Sequence, residues 1–333
     1  MVSNASILTS NALLNDNTAP RIAVFAGGTS GIGKLTLRAL VSTGASTRIY
    51  LIGRKSSYPS AQTFISELNT INPRAEIIWT EGEYSLLSET SRICAEIKRA
   101  ESRVDLLFLT AGYAPMASRV ETSEGIEVAQ SLEYYSRILF IKQLLPLLQK
   151  AEAPRVVSVL AGGLERVSSV NLDDLDLKKP GSFSGIKAQT QYGCMNSVAL
   201  DKLAEENPDV TFIHSWPGWV STGNVNRGMD PNSAWGWFVW LFLGPLIKLV
   251  SISDEVSGQR NLFLSTSAAY GGRGVSWTGE KGVNTVGEKG KGGLFLVNFR
   301  CNWTPNLKVM KELREKAQER VWGHTMEVLR PYL

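Results

Sequence analysis

The stretch RIAVFAGGTSGIGK at residues 21–34 decides the fold. Its first part, RIAVFA at 21–26, is a short apolar run of the kind that forms a buried strand. A glycine-rich turn follows, and a helical pattern then continues to about Gly44. Glycines let such a turn bend tightly and approach a phosphate, and the next helix offers free N–H groups and its positive dipole end. The stretch therefore predicts the phosphate-binding turn of a dinucleotide-binding α/β domain.

Strands and helices alternate along most of the remaining chain. The other predicted strands are apolar runs at 48–52, 75–79, 104–109, 155–160, 210–216 and 294–298. The longest predicted helices lie at about 123–150 and 187–206. Apolar strands separated by helices predict a parallel sheet that is covered on both faces, with right-handed crossovers. We expect a single doubly wound Rossmann-type α/β domain over residues 21–333, with its ligand beyond the carboxyl ends of the strands.

Four segments fall outside this alternation. Residues 1–20 are polar, lack the features of a signal peptide and are predicted to be a flexible N-terminal extension. Residues 218–250 are predicted to be an apolar helical lid. Their aromatic part, AWGWFVWLFLGPLIKLV at 234–250, is short for a membrane span, but peripheral contact with a membrane surface stays open. Residues 271–295 are predicted to be a glycine-rich exposed loop, and 305–329 a charged C-terminal helix.

Composition excludes several classes of function. The net charge is +4 over 333 residues with no dense basic run, so we expect no nucleic-acid partner. Cys94, Cys194 and Cys301 lie far apart, and His214 and His324 occur in unrelated segments. We therefore expect no metal site and no Ser-His-Asp triad. The odd number of cysteines favours a reducing compartment, and a cytoplasmic protein is expected.

Several segments, in the correct order along the chain, resemble the short-chain dehydrogenase/reductase family. The spacing Gly27-xxx-Gly31-x-Gly33 is similar to the TGxxxGxG turn of that family. The TAG triplet at 110–112 keeps the last two residues of its NNAG motif, and PGWVST at 217–222 matches its PGxVxT segment. The resemblance spans about residues 20–270 and implies a nicotinamide dinucleotide cofactor.

The resemblance implies a cofactor site along the carboxyl ends of the strands. Arg54 follows the second strand, where an acidic residue would hold the ribose 2′-hydroxyl of NAD and a basic one suits the 2′-phosphate of NADP. NADP(H) is therefore favoured, and Glu83 is expected to face the adenine. The predicted cofactor-binding residues are Gly27, Thr29, Ser30, Gly31, Ile32, Gly33, Arg54, Glu83, Ala111, Gly112, Pro217, Gly218, Val220 and Thr222.

Catalysis in this family uses an Asn, a Ser, a Tyr and a Lys, and this chain departs from that pattern. Ala161 occupies the expected place of the serine. Tyr192 has Asn196 where the lysine should be, whereas a second register without a gap puts Gln189 at the Tyr position and Gly193 at the Lys position. The lysine is missing in both registers. A tyrosine without a nearby cation keeps a pKa of about 10 and is a weak base at neutral pH.

Glu133 stands where the family carries its asparagine, about thirteen residues before the proline of an LPLL stretch. A carboxylate near a nicotinamide could act as a general base, although a charged residue exposed on a helix would look the same in the sequence. The candidate catalytic residues are thus Tyr192, Glu133 and Asn196.

The overall pattern resembles a divergent, fungal-type subgroup of the family that lacks the usual Tyr-xxx-Lys pair. The resemblance implies an NADP(H)-dependent reductase in secondary-metabolite biosynthesis, and the apolar, aromatic lid predicts a bulky hydrophobic carbonyl compound as its substrate. Two alternatives stay open. One is a non-redox isomerase, dehydratase or cyclase that uses Glu133 or Tyr192 in proton transfer, and the other is a non-catalytic NADP(H)-binding protein. The family also implies a homodimer formed by the helices after the fourth and fifth strands.

Overall fold

The protein is built on one sheet of parallel strands, and the computed structural model describes residues 1–113, 115, 118–218 and 252–333. The strands are β1 Ile22–Ala26, β2 Arg48–Gly53, β3 Glu76–Glu81, β4 Leu106–Leu109, β5 Arg155–Val159, β6 Thr211–Ser215 and β7 Gly293–Val297. Their order across the sheet is β3-β2-β1-β4-β5-β6-β7. The chain changes direction across the sheet between β1 and β4, which leaves a crevice for a ligand. The predicted doubly wound fold is confirmed.

Helices cover both faces of the sheet. They are α1 Asn4–Asn11, α2 Gly31–Val41, α3 Tyr58–Ile71, α4 Leu87–Ala100, α5 Val128–Gln130, α6 Ser136–Leu148, α7 Gly185–Glu206, α8 Asp254–Thr266, α9 Leu307–Leu313 and α10 Glu319–Leu329. One π-helical turn, Ser131–Tyr135, joins α5 to α6, and another, Arg314–Gln318, joins α9 to α10. Residues 128–148 thus run as one nearly continuous helix beside the carboxyl end of β4.

The alternation of side chains along β1 divides the core into two layers. Val24 and Ala26 belong to the cluster formed with α4, α6, α7 and the C-terminal helices. Ala23 and Phe25 point the other way and pack with α2, α3 and α8. This period of two is what a pleated strand imposes. Because both faces are buried, β1 reads in the sequence as a continuous apolar run.

The N-terminal segment is packed, which corrects the prediction of a flexible extension at residues 1–20. Ile7 of α1 is 2% exposed and belongs to the core cluster around α8. The Nδ2 of Asn11 donates to the backbone oxygen of Gln259 at 2.8 Å, and the Val2 N–H donates to Asn302 Oδ1 at 2.8 Å. The segment therefore forms part of the outer layer that holds α8 against the sheet.

The glycine-rich segment is also less exposed than predicted. Asn284 and Thr285 are 1% and 2% exposed. The hydroxyl of Thr285 donates to Asp201 Oδ1 of α7 at 2.6 Å, and Arg314 donates to both carboxylate oxygens of Asp201 at 2.6 and 2.7 Å. The loop is thus tied to α7 and to the C-terminal helices through one buried carboxylate.

The C-terminal helices lie across α6 and α7. Tyr134 and Thr325 share a hydrogen bond of 2.5 Å, and the Gln143 amide donates to the Tyr332 backbone oxygen at 2.7 Å. Val321 and Leu329 complete the same apolar cluster. The C-terminal helices therefore pack against α6 and α7, and the homodimer stays a prediction.

Most of the predicted lid lies outside the described residues, since 219–251 are not among them. The aromatic run at 234–250, with its predicted membrane contact, lies outside them as well. Among the helices that are described, none is long and apolar enough to cross a membrane.

Candidate active site

A cleft of about 690 Å³ opens at the carboxyl ends of the strands. Residues of the glycine turn and of the loops after β2 and β3 line one end, and residues around β4, β5, α5 and α7 line the other. The residues that line it include Gly27, Thr29, Ser30, Gly31, Ile32, Arg54, Ser57, Glu83, Ala111, Gly112, Tyr113, Val120, Val128, Leu132, Glu133, Arg137, Gln189 and Pro217. The cleft thus brings together most of the residues that the sequence predicted to bind a cofactor.

The glycine turn is shaped by close backbone approach. A Cβ atom at Gly33 would collide with the carbonyl oxygen of Gly27, and a Cβ at Gly27 would lie 2.6 Å from the amide nitrogen of Ala111. Gly33 does not line the cleft itself, because its role is to let α2 pack against the turn. Helix α2 begins at Gly31, which lines the cleft, so its first amides are available to an anion such as a pyrophosphate.

The edge of the cleft formed by β2 and β3 carries charge. Arg54 directly follows β2 and is exposed. Glu83 is exposed after β3, and its Oε1 accepts a hydrogen bond from Ser85 Oγ at 2.8 Å. Ser57, one turn beyond Arg54, also lines this edge, and sequence reasoning missed it. Its position in a Lys-Ser-Ser run directly after Arg54 was the available signal.

The other predicted cofactor residues divide into three groups. Ala111, Gly112 and Pro217 line the cleft. Gly218 does not line it and packs against Phe299, where a Cβ would lie 2.9 Å from the phenylalanine Cβ. Val220 and Thr222 lie outside the described residues.

Glu133 lies on the π-helical turn and its carboxyl group is deeply buried in the cleft floor. The residue is 2% exposed. Its Oε1 accepts from the Tyr113 N–H at 3.0 Å, and its Oε2 accepts from Gln189 Nε2 at 2.6 Å. Gly112 leaves the space that the carboxyl group occupies, since a Cβ there would lie 2.6 Å from Glu133 Oε1. The interpretation of Glu133 as an exposed helix charge is therefore wrong.

Burial raises the pKa of Glu133 from its usual range to about 8. The positive charge of Arg137 and the hydrogen bond from Gln189 act in the opposite direction, whereas the charge of Glu127 raises the pKa further. Burial also raises the pKa of the neighbouring Tyr113 hydroxyl, to about 12. At neutral pH both groups hold their protons, so this end of the cleft offers a carboxylic acid rather than a carboxylate.

Asn196 supports the helix that carries Glu133 and does not line the cleft. It is fully buried, and its Nδ2 donates to the backbone oxygens of Glu133 and Tyr192. Its Oδ1 accepts from Ser158 Oγ at 3.3 Å. A π-helical turn disturbs the regular backbone hydrogen bonding, and the Asn196 amide satisfies one of its carbonyl oxygens. The prediction that Asn196 takes the place of the catalytic lysine at the cleft is therefore wrong.

Tyr192 also lies away from the cleft, whereas Gln189 lines it. The Tyr192 hydroxyl is buried and donates to Glu127 Oε2 at 3.1 Å, and burial holds its pKa well above the usual range. A Cβ at Gly193 would lie 2.7 Å from the Ala161 Cβ. The cleft is therefore lined by Gln189 of the second register and not by Tyr192 of the first, which contradicts the choice of Tyr192 as a catalytic residue at the cleft.

Sequence reasoning missed two residues at this end of the cleft, Tyr113 and Arg137. Tyr113 directly follows the TAG triplet, and Arg137 lies four residues after Glu133, a spacing that puts both on one helix face. These two signals were visible. What the sequence did not reveal is that the shared face is buried.

The described residues fit a dinucleotide. The turn closes only with glycines at positions 27 and 33, which leaves backbone amides rather than side chains at the start of α2. Arg54 supplies a positive charge at one end of the cleft, and Ala111 and Gly112 form a narrow floor at the other. These groups suit the pyrophosphate and the flat rings of a dinucleotide.

Comparison with known proteins identifies the family. The model of the short chain dehydrogenase family matches residues 21–168. An oxidoreductase of Emericella nidulans is 36% identical and covers 99% of this chain and 98% of its own length. An NmrA-like family domain-containing oxidoreductase of an Aspergillus species is 35% identical, with coverage of 98% and 94%. The chain therefore belongs to the short-chain dehydrogenase/reductase family of oxidoreductases.

Solved structures of low sequence identity share the fold. The NADPH-bound carbonyl reductase from chicken fatty liver has a TM-score of 0.55 at 14% identity, and covers 86% of this chain and 98% of its own. An NADPH-dependent 3-quinuclidinone reductase from Rhodotorula rubra has a TM-score of 0.54 at 14% identity, with coverage of 77% and 87%. At such identities the likeness supports the fold alone.

Proposed function

We propose that the protein is an NADP(H)-dependent reductase of a bulky hydrophobic carbonyl compound. The observation that carries this proposal is the continuous cleft, which has an exposed arginine at one end and a buried acid at the other. Arg54 suits a 2′-phosphate, and Glu133 lies beside the narrow floor at Ala111 and Gly112. The solved carbonyl reductase and quinuclidinone reductase are described as NADPH-bound and NADPH-dependent, which supports the same cofactor here.

The cofactor would be held by residues already described. The amides of Ser30, Gly31 and Ile32 at the start of α2 would bind the pyrophosphate, and Arg54 with Ser57 would bind the 2′-phosphate. When bound, NADPH supplies a hydride to a carbonyl carbon, so the carbonyl oxygen needs one proton to become a hydroxyl.

Glu133 is the proposed proton donor. Its carboxyl group is protonated at neutral pH, lines the cleft, and is oriented by the Tyr113 N–H and the Gln189 amide. A general acid works best when its pKa lies near the operating pH, which this buried carboxyl group satisfies. After giving up its proton Glu133 is a carboxylate, which regains a proton from water before the next turnover.

The described wall near Glu133 supports a hydrophobic substrate. Tyr113, Val120, Val128 and Leu132 line the cleft there, and Val120 is 53% exposed. Apolar walls with a few convergent polar groups are typical of sites for small organic ligands. A role in secondary-metabolite biosynthesis is part of the proposal, and the relatives of 35% and 36% identity are oxidoreductases. The three buried free cysteines fit a cytoplasmic protein.

The cofactor assignment is tested by titrating the purified protein with NADPH and with NADH, followed by fluorescence. We expect NADPH to bind more tightly, and Arg54→Asp to lose this preference by about tenfold or more because a carboxylate repels the 2′-phosphate. Arg330→Asp removes an exposed arginine at the other end of the chain and should leave both affinities unchanged. No NADPH binding, or a preference that Arg54→Asp does not change, would contradict the assignment.

A non-redox activity is the second candidate, because Glu133 could also serve proton transfer without a hydride. A carboxyl group with a pKa of about 8 can both donate and accept a proton near neutral pH, as an isomerase or dehydratase requires. The two candidates differ in cofactor consumption. Conversion of a carbonyl substrate without loss of NADPH absorbance would favour the second candidate, and stoichiometric loss of NADPH would favour the first.

A further inference from the structure

Arg137 is a fully buried arginine under the cleft, and neither the family pattern nor the predicted site accounts for it. It is 2% exposed and lies on α6, one turn after Glu133. Its Nη2 donates to the Ala111 backbone oxygen at 2.7 Å, and its Nη1 donates to the Val159 oxygen at 3.0 Å and to Ser158 Oγ at 2.7 Å. The guanidinium thus joins the ends of β4 and β5 at the cleft floor.

None of these hydrogen-bond acceptors of the Arg137 guanidinium is a carboxylate. Its Nε donates to the Leu132 backbone oxygen at 3.3 Å, so the guanidinium donates to three carbonyl oxygens and one hydroxyl. Burial lowers the pKa of Arg137 to about 10, and the nearby Glu133 acts to raise it. The side chain is still charged at neutral pH. A buried charge is costly unless a function or a partner compensates for it.

The helix that carries the catalytic pair in the family has no cation at the cleft here. Gln189 and Gly193 occupy the two aligned positions of α7, and Lys187 on the same helix is exposed and does not line the cleft. A positive charge beside the proposed proton donor therefore comes from the helix after β4. Glu133 and Arg137 are four residues apart on that helix, and both line the cleft.

We propose that Arg137 is a positioning residue that takes over the electrostatic role of the missing lysine, so that the proton donor and its cation, Glu133 and Arg137, both lie on the helix after β4. This inference rests on the proposed role of Glu133. Arg137 fixes the Ala111 carbonyl that borders the cleft and stabilises the carboxylate that Glu133 becomes after it gives up its proton.

Six other titratable groups interact with the pair or with its neighbours. Tyr84 acts to raise the pKa of Arg137, and burial together with the charge of Arg137 lowers the pKa of His214. Glu127 at the start of α5 acts to raise the pKa of Glu133. Tyr113, after β4, donates its N–H to Glu133, and the negative charge of Glu133 acts to raise the pKa values of Tyr113 and Tyr192. The positive charge of Arg119 acts to lower the pKa of Tyr192. Among the described residues, Arg137 is the cation whose charge lowers the pKa of Glu133, so its removal should raise that pKa.

The test is a titration of Glu133 itself, so it requires neither substrate nor turnover. Protein labelled with ¹³C in the glutamate carboxyl groups is titrated by NMR, and the Glu133 signal is assigned by its loss in Glu133→Gln. We compare the wild type with Arg137→Gln, which keeps an amide donor but removes the charge, and with Arg137→Lys, which keeps the charge. Ser158→Ala is the control, because it removes one acceptor of Arg137 without changing any charge.

We expect Arg137→Gln to raise the pKa of Glu133 by about one unit or more, and Arg137→Lys and Ser158→Ala to change it by less than about half a unit. An unchanged pKa in Arg137→Gln, or an equal rise in Ser158→Ala, would overturn the inference. If Arg137→Gln does not fold, the inference is tested with Arg137→Lys, and a rise of more than about one unit despite the retained charge would overturn it.

NADPH binding to the same proteins separates this inference from the proposed function. A wild type that fails to bind NADPH refutes the cofactor assignment, whatever the Glu133 titration shows. If the wild type binds NADPH but the pKa of Glu133 does not depend on the charge at position 137, only the role of Arg137 is refuted.

Discussion

Replacing Glu133 with glutamine should change how the stability of the protein depends on pH. Burial raises the pKa of Glu133 from 4.5 to about 8, so the folded state holds one proton more than the unfolded state between these values. The stability that this group contributes is complete below about pH 4.5 and is lost as the pH rises to about 8. Within that window the loss is about 1.4 kcal/mol per pH unit.

Glutamine cannot ionise, so this loss should be absent in Glu133→Gln. The variant keeps an oxygen for the Tyr113 N–H, and the amide of Gln189 can turn its oxygen toward the new NH₂ group. Integrating over the window, the free energy of unfolding of the wild type relative to Glu133→Gln should fall by about 2–3 kcal/mol from about pH 5 to about pH 7.

The assay is urea unfolding followed by tryptophan fluorescence at several pH values in this range. Glu319→Gln is the matched control. Because Glu319 is exposed on α10, this variant should show the same pH dependence of the free energy of unfolding as the wild type. A difference between wild type and Glu133→Gln that stays constant from about pH 5 to about pH 7 would refute the reasoning. It would mean that Glu133 is hydrated and titrates like an ordinary carboxyl group.

Two further predictions concern residues away from the cleft. Arg314→Met should lower the free energy of unfolding by about 2–3 kcal/mol, because Asp201 is left buried without its bidentate partner. The control is Arg320→Met at an exposed position, which should change the free energy of unfolding by less than about 0.5 kcal/mol in the same urea titration. Tyr192→Phe should cost about 1–2 kcal/mol through the lost hydrogen bond to Glu127, yet leave the NADPH affinity and any turnover within about twofold. A tenfold loss of turnover in folded Tyr192→Phe would mean that Tyr192 takes part in the reaction.

The strands and the glycine turn could be predicted from the sequence because their signals are local. The apolar run at 21–26 predicts β1, Ile22–Ala26, and the glycines that follow it have the spacing of a phosphate-binding turn. Helix α1 could not be predicted in the same way. Its sequence, NASILTSN, has no apolar stripe, and a helix of this length gains most of its stability from packing, here against α8.

Part of the catalytic end could also be predicted. Counting from the LPLL proline identified Glu133, but only the packed structure shows that its carboxyl group is buried in the cleft floor. The choice between Tyr192 and Gln189 needed the orientation of α7, because residues three apart on a helix point only about 60° away from each other around its axis. The hydrogen bonds of Tyr192 to Glu127 and of Gln189 to Glu133 decide that orientation.

The sequence by itself determined the doubly wound sheet, the phosphate-binding turn and the arginine after β2, since each depends on residues that are neighbours along the chain. Only the tertiary structure decided which polar groups meet at the other end of the cleft. Glu133 and Arg137 look like ordinary helix charges in the sequence. Their chemistry comes from the removal of water by α7, β4 and β5, and burial of that kind depends on contacts between residues far apart in the chain.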